Sequence, residues 1–313
     1  MKLIKPKKLK KGDVIGLIAP ASSVVDEVSL NNGISYFESL GYNVEIGKNV
    51  KLQKGYLAGT DEERLADLHE MFSNKNVNAI FAIRGGYGSG RLLDKINYSL
   101  IKRNPKIFVG YSDITALQMA ILKKTGLVTF TGPMPGVDYE NQMNENTEET
   151  FWKTITNSKK IGKLSNPTDD KFYILAKGRA EGKIVGGNLS MLLSLAGTEY
   201  FPDLKNSIMV LEEIAEAPYR IDRMFNQLRL MKAINNISGL ILGRFLNCYE
   251  PDSSKPSLTL NEVITDYWQN VKFPVFYNFV HGHVKDSITL PFGLNAKLNT
   301  TKCFIEITEN AVE

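Results

Sequence analysis

Short apolar runs alternate with helical patterns through the first half of this chain, and this alternation restricts its fold more than any other feature. Five runs have the length of strands: Val14 to Ala19, Tyr42 to Ile46, Ala79 to Ile83, Ile107 to Val109 and Val128 to Phe130. One intervening helix begins with a capping box, in which Thr60 pairs with Glu63. Strands that alternate with helices form a parallel sheet with helices on both faces. The sequence therefore predicts an α/β domain.

The second half predicts another α/β unit, with shorter and less regular elements. Its strand-like runs are Tyr173 to Ala176, Ile184-Val185, Ile208 to Leu211, Gly239 to Gly243 and Cys303 to Ile307. A long helix between them carries one apolar stripe, formed by Ile221, Met224, Phe225, Leu228 and Met231. A stripe at this spacing is typical of a helix that packs on a core.

A polar segment from about Val137 to Asp170 separates the two halves. Asn, Glu, Thr, Asp and Lys dominate it, and an amphipathic piece at Thr150 to Ile155 interrupts it. Composition of this kind favours a connection between domains. We predict a first domain over residues 1–150, a connection over 151–175 and a second domain over 176–313.

Composition argues against nucleic-acid and membrane partners. The net charge is +4, but six lysines lie among the first eleven residues, so the rest of the chain has more acidic than basic side chains. That balance offers no basic face for nucleic acid, and no apolar run has transmembrane length. The lysine-rich start and Val14 to Ala19 imitate a signal peptide, but Gly16 interrupts an apolar run that is already short. We interpret the run as a strand and predict a cytoplasmic protein.

Metal and disulfide chemistry have little support in the sequence. The two cysteines, Cys248 and Cys303, lie far apart and without CxxC spacing, so they indicate neither a disulfide framework nor a zinc site. A His-X-His pair at His281 and His283 can begin a metal site, but no third ligand has a recognisable spacing. We therefore predict no metal and no cofactor.

The segment Gly110-Tyr111-Ser112-Asp113 joins the fourth apolar run to a helical pattern over Asp113 to Lys124, which Gly126 ends. A serine at a sharp turn between a strand and a helix points its hydroxyl out of the sheet, beside the first free amides of the helix. Those amides can hold an oxyanion during acyl transfer. The alternative is that Ser112 or Asp113 only caps the helix, and these four residues do not decide between the two.

A glycine-rich segment, Arg84 to Arg91, follows the third apolar run. It lacks the GK[ST] ending of a phosphate loop, and it does not follow the first strand as a dinucleotide-binding fingerprint would. If this loop lies beside Ser112 at the same edge of the sheet, its amides could complete an oxyanion hole. Otherwise it is a tight turn.

A serine nucleophile needs a base, and a base histidine needs a carboxylate that orients it. The chain has three histidines. His69 lies within the capped helix and is interpreted as structural, whereas either His281 or His283 could be the base. Glu212 ends a buried strand, where a charge is costly without a purpose, and Glu213 would point to the opposite side. An ordinary strand end turning towards water is the alternative for both.

Motifs along the whole chain resemble those of the LD-carboxypeptidase family, in that family's order. The most specific are Arg-Gly-Gly-Tyr-Gly at 84–88 and Gly-Tyr-Ser-Asp at 110–113. The others are Gly12-Asp13-Val14, Ala19 to Ser22, Gly132-Pro133-Met134, Gly186-Gly187-Asn188, Leu211-Glu212-Glu213, Pro218 to Arg223 and Gly282-His283. The family includes muramoyltetrapeptide carboxypeptidases and microcin C immunity peptidases. One departure is Thr131, where relatives often have a histidine, and it concerns substrate contacts.

The resemblance implies a flavodoxin-like first domain and a swivelling β/α second domain, with the site at their interface. It implies a triad of Ser112 as nucleophile, His283 as general base and Glu212 as the residue that orients the histidine. The backbone amides of Gly85 and Asp113 would form the oxyanion hole. The reaction implied is removal of the terminal D-alanine from a cytoplasmic murein tetrapeptide through an acyl-enzyme.

Two further residues are candidates for substrate binding. A carboxypeptidase must recognise a free carboxylate, and the guanidinium of Arg84 can hold one in a bidentate manner. Tyr87, in the same loop, is the second candidate. The expected partner is therefore a small peptide, with no nucleic acid and no membrane, and we also expect a homodimer.

Three alternatives compete with this interpretation. Hydrolysis of a peptidyl-nucleotide antibiotic is the alternative within the family, although Pro218 to Arg223 resembles the murein branch more. A non-catalytic protein that binds a ligand in the interdomain cleft is the alternative from another class. The α/β-hydrolase fold has the same Ser, acid, His order, but its elbow needs a glycine where this chain has Ile114.

Overall fold

The first lobe is built on a six-stranded sheet. The structure is a computed structural model, which describes residues 2–24, 26–139, 144–167, 170 and 173–313. The strands of this sheet are β1 (Val14–Ile18), β2 (Asn43–Ile46), β3 (Val77–Ala82), β4 (Ile107–Val109), β5 (Thr129–Phe130) and β12 (Pro291–Phe292). Strands β1 to β5 are parallel, in the order β5-β4-β3-β1-β2. This is the flavodoxin-like order, so the predicted fold class is confirmed.

Five helices accompany this sheet: α1 (Glu27–Ser39), α2 (Asp61–Ser73), α3 (Tyr98–Arg103), α4 (Thr115–Thr125) and α5 (Glu145–Thr156). The predicted capping box of α2 is present, because the Glu63 amide donates to Thr60 and the Thr60 amide donates to the Glu63 carboxylate. Helix α4 ends at Gly126, whose φ of 80° is left-handed, a conformation that glycine adopts without steric cost.

The predicted polar connection contains helix α5, which packs on the first lobe. The Phe151 ring is fully buried, 5.8 Å from that of Phe81, and Trp152 stacks on Tyr42 with 5.2 Å between ring centroids. The predicted boundary at residue 150 thus falls within a helix, because the Phe151–Phe81 and Trp152–Tyr42 contacts anchor a segment that is polar in composition. Residues 140–143, 168, 169, 171 and 172 of this region lie outside the described residues.

The second lobe is built on an eight-stranded sheet. Its strands are β6 (Gly162–Leu164), β7 (Tyr173–Ala176), β8 (Arg179–Asn188), β9 (Ser207–Ile214), β10 (Gly239–Leu246), β11 (Val275–Tyr277), β13 (Asn295–Asn299) and β14 (Phe304–Ile307). The central strands β8, β9, β10 and β11 are parallel, and antiparallel strands extend the sheet on both sides. The helices are α6 (Leu189–Ser194), α7 (Pro218–Leu230) and α8 (Leu260–Trp268).

Two details of the second lobe differ from the sequence expectation. Ile221, Phe225 and Leu228 are fully buried on one face of α7, but Met231 lies beyond its last turn and is 37% exposed. The buried stripe therefore ends at Leu228, three residues before the predicted end at Met231. Cys303 is exposed in the turn before β14 and takes no part in a strand.

A segment of the second half crosses back to the first sheet. Strand β12 pairs antiparallel with β5 at the sheet edge, with Pro291 opposite Phe130. Next to it, the Thr131 amide donates to the Leu290 carbonyl at 2.9 Å, and the Leu290 amide donates to the Thr131 hydroxyl at 2.8 Å. This pairing was not predicted, and it ties the two lobes together. No helix among the described residues has the length and apolar character needed to cross a bilayer.

Candidate active site

Ser112 occupies a strained turn between β4 and α4. Its φ is 61°, and a non-glycine residue in this left-handed region costs roughly 1–2 kcal/mol, a strain that clusters at functional sites. A 3-10 turn, Ser112–Ile114, separates the strand from the helix, so α4 begins two residues later than the sequence suggests. The strand–turn–helix geometry of a nucleophile elbow is present at this serine.

The glycine-rich loop after β3 lies directly against Ser112. A Cβ atom placed on Gly85 would lie 2.9 Å from the Ser112 Cβ, 3.2 Å from its hydroxyl oxygen and 3.2 Å from the Asp113 amide nitrogen. Only glycine fits without a shift of these atoms. Within the described part of the chain, neither the Gly85 amide nor the Asp113 amide donates a hydrogen bond. Two free amides therefore flank the serine.

The side chain of Asp113 does not cap the helix, which was the simpler prediction. It is buried, and its two carboxylate oxygens accept from the amides of Gly88 at 3.2 Å and Ser89 at 2.8 Å. The Ser89 hydroxyl donates to the Asp113 carbonyl at 2.7 Å. Burial raises the pKa of this carboxyl, while the bonds from Ser89 and Gly88 and the charge of Arg64 oppose the rise.

Glu212 and His283 are hydrogen-bonded in the second lobe. The Nδ1 atom of His283 lies 2.7 Å from Oε2 of Glu212, which is 2% exposed. Gly282 permits this approach, because a Cβ there would lie 2.7 Å from the same oxygen. Burial disfavours the imidazolium, but the hydrogen bond and charge of Glu212 outweigh it and raise the pKa of His283. With Nδ1–H bonded to Glu212, Nε2 is left to accept a proton.

Glu213 and His281 have different surroundings from their neighbours. Glu213 is also buried but faces the other side of β9, where its carboxylate accepts from the Asn188 side chain and the Ser190 amide, each at 2.8 Å. His281 is 2% exposed, and its Nδ1–H donates to the Ile288 carbonyl at 3.0 Å. Burial lowers the pKa of His281. Both arrangements are those of structural residues.

Tyr111 links the nucleophile turn to the histidine. Its ring meets that of His283 edge-on at 71°, and its hydroxyl donates to the Asp138 carboxylate at 3.1 Å. Asp138 also accepts from the Met134 amide at 2.7 Å. Burial raises the pKa of Asp138 to about 6. Sequence reasoning missed both residues, although Tyr111 belongs to the motif that was singled out.

A cavity of about 870 Å³, open to solvent, lies between the lobes. Ser112 and Asp138 line it from the first lobe, and Glu212, His281 and Lys285 from the second. Among the described residues that line this cavity, Lys285 is the only lysine or arginine. No three His, Cys, Asp or Glu side chains within the described ranges converge as metal ligands would.

Arg84 and Tyr87 lie outside the lining of this cavity. The Arg84 guanidinium donates to the Ser23 carbonyl at 3.3 Å. The Tyr87 side chain is 52% exposed, with its ring 5.5 Å from that of Tyr56. Between described residues, no hydrogen bond joins the Ser112 hydroxyl to His283. Such bonds are often long in unliganded enzymes and shorten when substrate binds.

Two family models match this chain: the LD-carboxypeptidase N-terminal domain over residues 15–132 and the LD-carboxypeptidase C-terminal domain over residues 181–298. The chain belongs to the LD-carboxypeptidase family. It is accordingly a peptidase, which argues against a non-catalytic binding protein. The motif resemblance seen in the sequence is confirmed along both lobes.

Individual members of the LD-carboxypeptidase family match over nearly the full length. The probable murein peptide carboxypeptidase of Bacillus subtilis (strain 168) is 42% identical over 310 residues, 95% of this chain and 92% of that protein. The microcin C7 self-immunity protein MccF of Escherichia coli is 29% identical, over 96% and 94%. The crystal structure of muramoyltetrapeptide carboxypeptidase from Oxalobacter formigenes superimposes with a TM-score of 0.83 at 31% identity, over 96% and 99%.

Proposed function

We propose that this chain is a serine LD-carboxypeptidase that removes the terminal D-alanine from a murein tetrapeptide. The observation that carries the proposal is the strained Ser112 turn with two free amides beside it. The 42% identity to a probable murein peptide carboxypeptidase supports the substrate class. The predicted cytoplasmic location and homodimer stay predictions.

In the proposed first step, the Ser112 hydroxyl oxygen attacks the carbonyl carbon before the terminal residue, and Nε2 of His283 accepts the hydroxyl proton. The Glu212 carboxylate holds Nδ1–H and stabilises the imidazolium. The negative charge that develops on the substrate oxygen is stabilised by the amides of Gly85 and Asp113. Ser112 and Glu212 line the cavity between the lobes, and the hydrogen bond between His283 and Glu212 supports the proposed role of His283 as the base.

In the second half of the reaction, the carbon–nitrogen bond breaks and the imidazolium gives its proton to the leaving amine of D-alanine. A water molecule then attacks the acyl-enzyme, with His283 as its base, and the proton returns to the Ser112 oxygen as the tripeptide leaves. No metal or cofactor is needed to balance these steps.

The leaving group carries a free carboxylate, which needs a cation. Arg84 remains a proposal for that role, and its guanidinium is held by the Ser23 carbonyl. Lys285 is a second candidate, because it lines the cavity itself. An ammonium or guanidinium that binds a carboxylate contributes roughly 1.5–3 kcal/mol, enough to favour substrates with a free C-terminus over internal peptide bonds.

The direct test is mass spectrometry of the purified protein incubated with a murein tetrapeptide. We expect a tripeptide and free D-alanine, and we expect Ser112→Ala to reduce turnover by about 10⁴-fold or more. A fluorophosphonate probe should label the wild type at Ser112 and leave the variant unlabelled. Unchanged turnover in Ser112→Ala would refute the serine mechanism.

The match to MccF makes peptidyl-nucleotide hydrolysis the second candidate. An aminoacyl sulfamoyl nucleoside offered in the same assay separates the two. Hydrolysis of that compound, with no release of D-alanine from the tetrapeptide, would replace the murein assignment while leaving the serine mechanism in place.

A further inference from the structure

The side chain of Asp113 joins two loops that meet at the nucleophile. Asp113 is 1% exposed, and each of its carboxylate oxygens accepts from a different amide of the glycine-rich loop, Gly88 or Ser89. The Ser89 hydroxyl donates back to the Asp113 carbonyl. Three hydrogen bonds therefore connect the turn after β4 to the loop after β3, and all three are shielded from water.

The same loop is fixed at its other end by residues that follow β1. The Ser22 amide donates to the Gly85 carbonyl at 3.2 Å, and the Ser22 hydroxyl accepts from the Tyr87 amide at 3.0 Å. Behind the loop, the buried Arg64 guanidinium donates to the Gly88 carbonyl at 2.8 Å. The amide of Gly85 stays free of partners in the described structure and lies next to the nucleophile.

We propose that the Asp113 carboxylate is a positioning residue that holds the Gly85 and Asp113 amides at a fixed separation around the Ser112 hydroxyl. One residue then supplies an oxyanion donor from its backbone and locks the loop that carries the other donor through its side chain. The inference rests on the proposed serine mechanism and deepens it.

A carboxylate suits this role because both of its oxygens accept. Two loop amides, Gly88 and Ser89, point at two different oxygens. An asparagine of the same size has one oxygen and one NH₂ group, so one loop amide would face another donor. That amide would lose its partner inside a buried site, where an unsatisfied donor is costly. We therefore expect the loop to shift and the two oxyanion donors to lose their alignment.

The test is Asp113→Asn, compared with two other variants. Ser89→Ala removes one of the three bonds and leaves the carboxylate intact. Asp67→Asn is the matched control, because Asp67 is also a buried carboxylate that bonds a loop amide, that of Asn49 at 3.0 Å. That loop follows β2, which is separated from β4 by β3 and β1. Loss of the Asp67–Asn49 hydrogen bond should therefore change stability without affecting the site.

For Asp113→Asn we expect kcat on the tetrapeptide to fall by about 10²-fold, the usual effect of losing one oxyanion donor, with KM within about twofold. Ser89→Ala should show a smaller fall in kcat. Asp67→Asn should lower the melting temperature and leave kcat unchanged. A wild-type kcat in Asp113→Asn, or a change confined to KM, would overturn the inference. If Asp113→Asn does not fold, Asp113→Glu decides, because it keeps the charge but moves both carboxylate oxygens by one methylene, and an unchanged kcat in that variant refutes the inference.

The rate of fluorophosphonate labelling at Ser112 makes the test independent of the natural substrate, because phosphonylation also develops charge on an oxygen at that site. Asp113→Asn should slow labelling by about tenfold or more, while Asp67→Asn labels at the wild-type rate. Failure of the wild type to release D-alanine would refute the murein substrate alone. Equal labelling rates in wild type and Asp113→Asn would refute the positioning role alone.

Discussion

The ring of Tyr111 meets the imidazole of His283 edge-on, with 5.1 Å between the ring centroids. The two residues belong to different lobes, and Tyr111 directly precedes Ser112. The Tyr111 hydroxyl is fixed in turn by Asp138, which the Met134 amide holds. The first lobe therefore offers the histidine both a fixed aromatic surface and a nearby carboxylate.

Replacement of that carboxylate should move the pH dependence of catalysis. The carboxylates of Glu212, Glu213 and Asp138 all favour the imidazolium of His283. Because the pKa of His283 is raised, we expect wild-type kcat/KM to fall on acidification with a midpoint above about 6.5. Asp138→Asn removes a negative charge, lowers the pKa of His283 and shifts this acid limb to lower pH.

The measurement for this prediction is kcat/KM from about pH 5 to pH 9, which spans the imidazole range. Asp252→Asn is the control, since this carboxylate is 45% exposed and pairs with Lys255 on the surface. The control should keep the wild-type midpoint. A midpoint that moves to higher pH in Asp138→Asn would contradict the electrostatic role.

The adjacent glutamates of β9 offer a matched pair of substitutions. Glu212→Gln should reduce kcat by about 10³- to 10⁴-fold, because the histidine loses the partner that fixes its tautomer. Glu213→Gln disturbs the bonds to Asn188 and the Ser190 amide instead. It should lower the free energy of unfolding in urea by about 1–3 kcal/mol, with a much smaller effect on kcat. Equal losses of kcat in the two variants would contradict the assignment.

A methyl group on Gly85 should block the site without unfolding the protein. In Gly85→Ala the new Cβ would lie 2.9 Å from the Ser112 Cβ, so either the loop or the serine must shift. We expect kcat to fall by about 10²-fold. Gly90→Ala is the control, because a Cβ there meets nothing within 4 Å. Circular dichroism should be unchanged in both, and activity should be lost in Gly85→Ala alone.

Carboxylate recognition can be assigned by comparing Arg84→Ala with Lys285→Ala. The residue that binds the substrate C-terminus should raise KM by about tenfold or more when it is removed. The same variant should also lose its preference for the tetrapeptide with a free C-terminal carboxylate over the tetrapeptide amide. The measurement is the ratio of kcat/KM for these two substrates. An unchanged KM and preference in Arg84→Ala would remove Arg84 from the proposed site.

Features set by local patterns were predicted well. The Thr60 capping box and the strand–turn–helix around Ser112 each depend on residues a few positions apart, and both are present. The alternation of a strand explains why Glu212 and Glu213 face opposite sides. The helix after Ser112 begins later than predicted, because Ser112 has a left-handed φ and belongs to a 3-10 turn that precedes the helix.

Features that depend on distant pairing were missed. Strand β12 has only two residues, and its partner β5 lies some 160 positions earlier in the chain, so no local pattern marks it. Asp138 lies in a segment whose polar composition indicates a connection, and only the fold brings it to the Tyr111 hydroxyl. Helix α5 depends likewise on packing against aromatic rings from the first sheet.

The pairing of Thr131 with Leu290 joins the two lobes beside the cavity. The segment that follows His283 pairs, at Leu290 and β12, with the edge of the sheet that carries Ser112. Separating the lobes at this point would break both hydrogen bonds between Thr131 and Leu290 and the pairing of β5 with β12, so we expect this edge to stay closed when the lobes move.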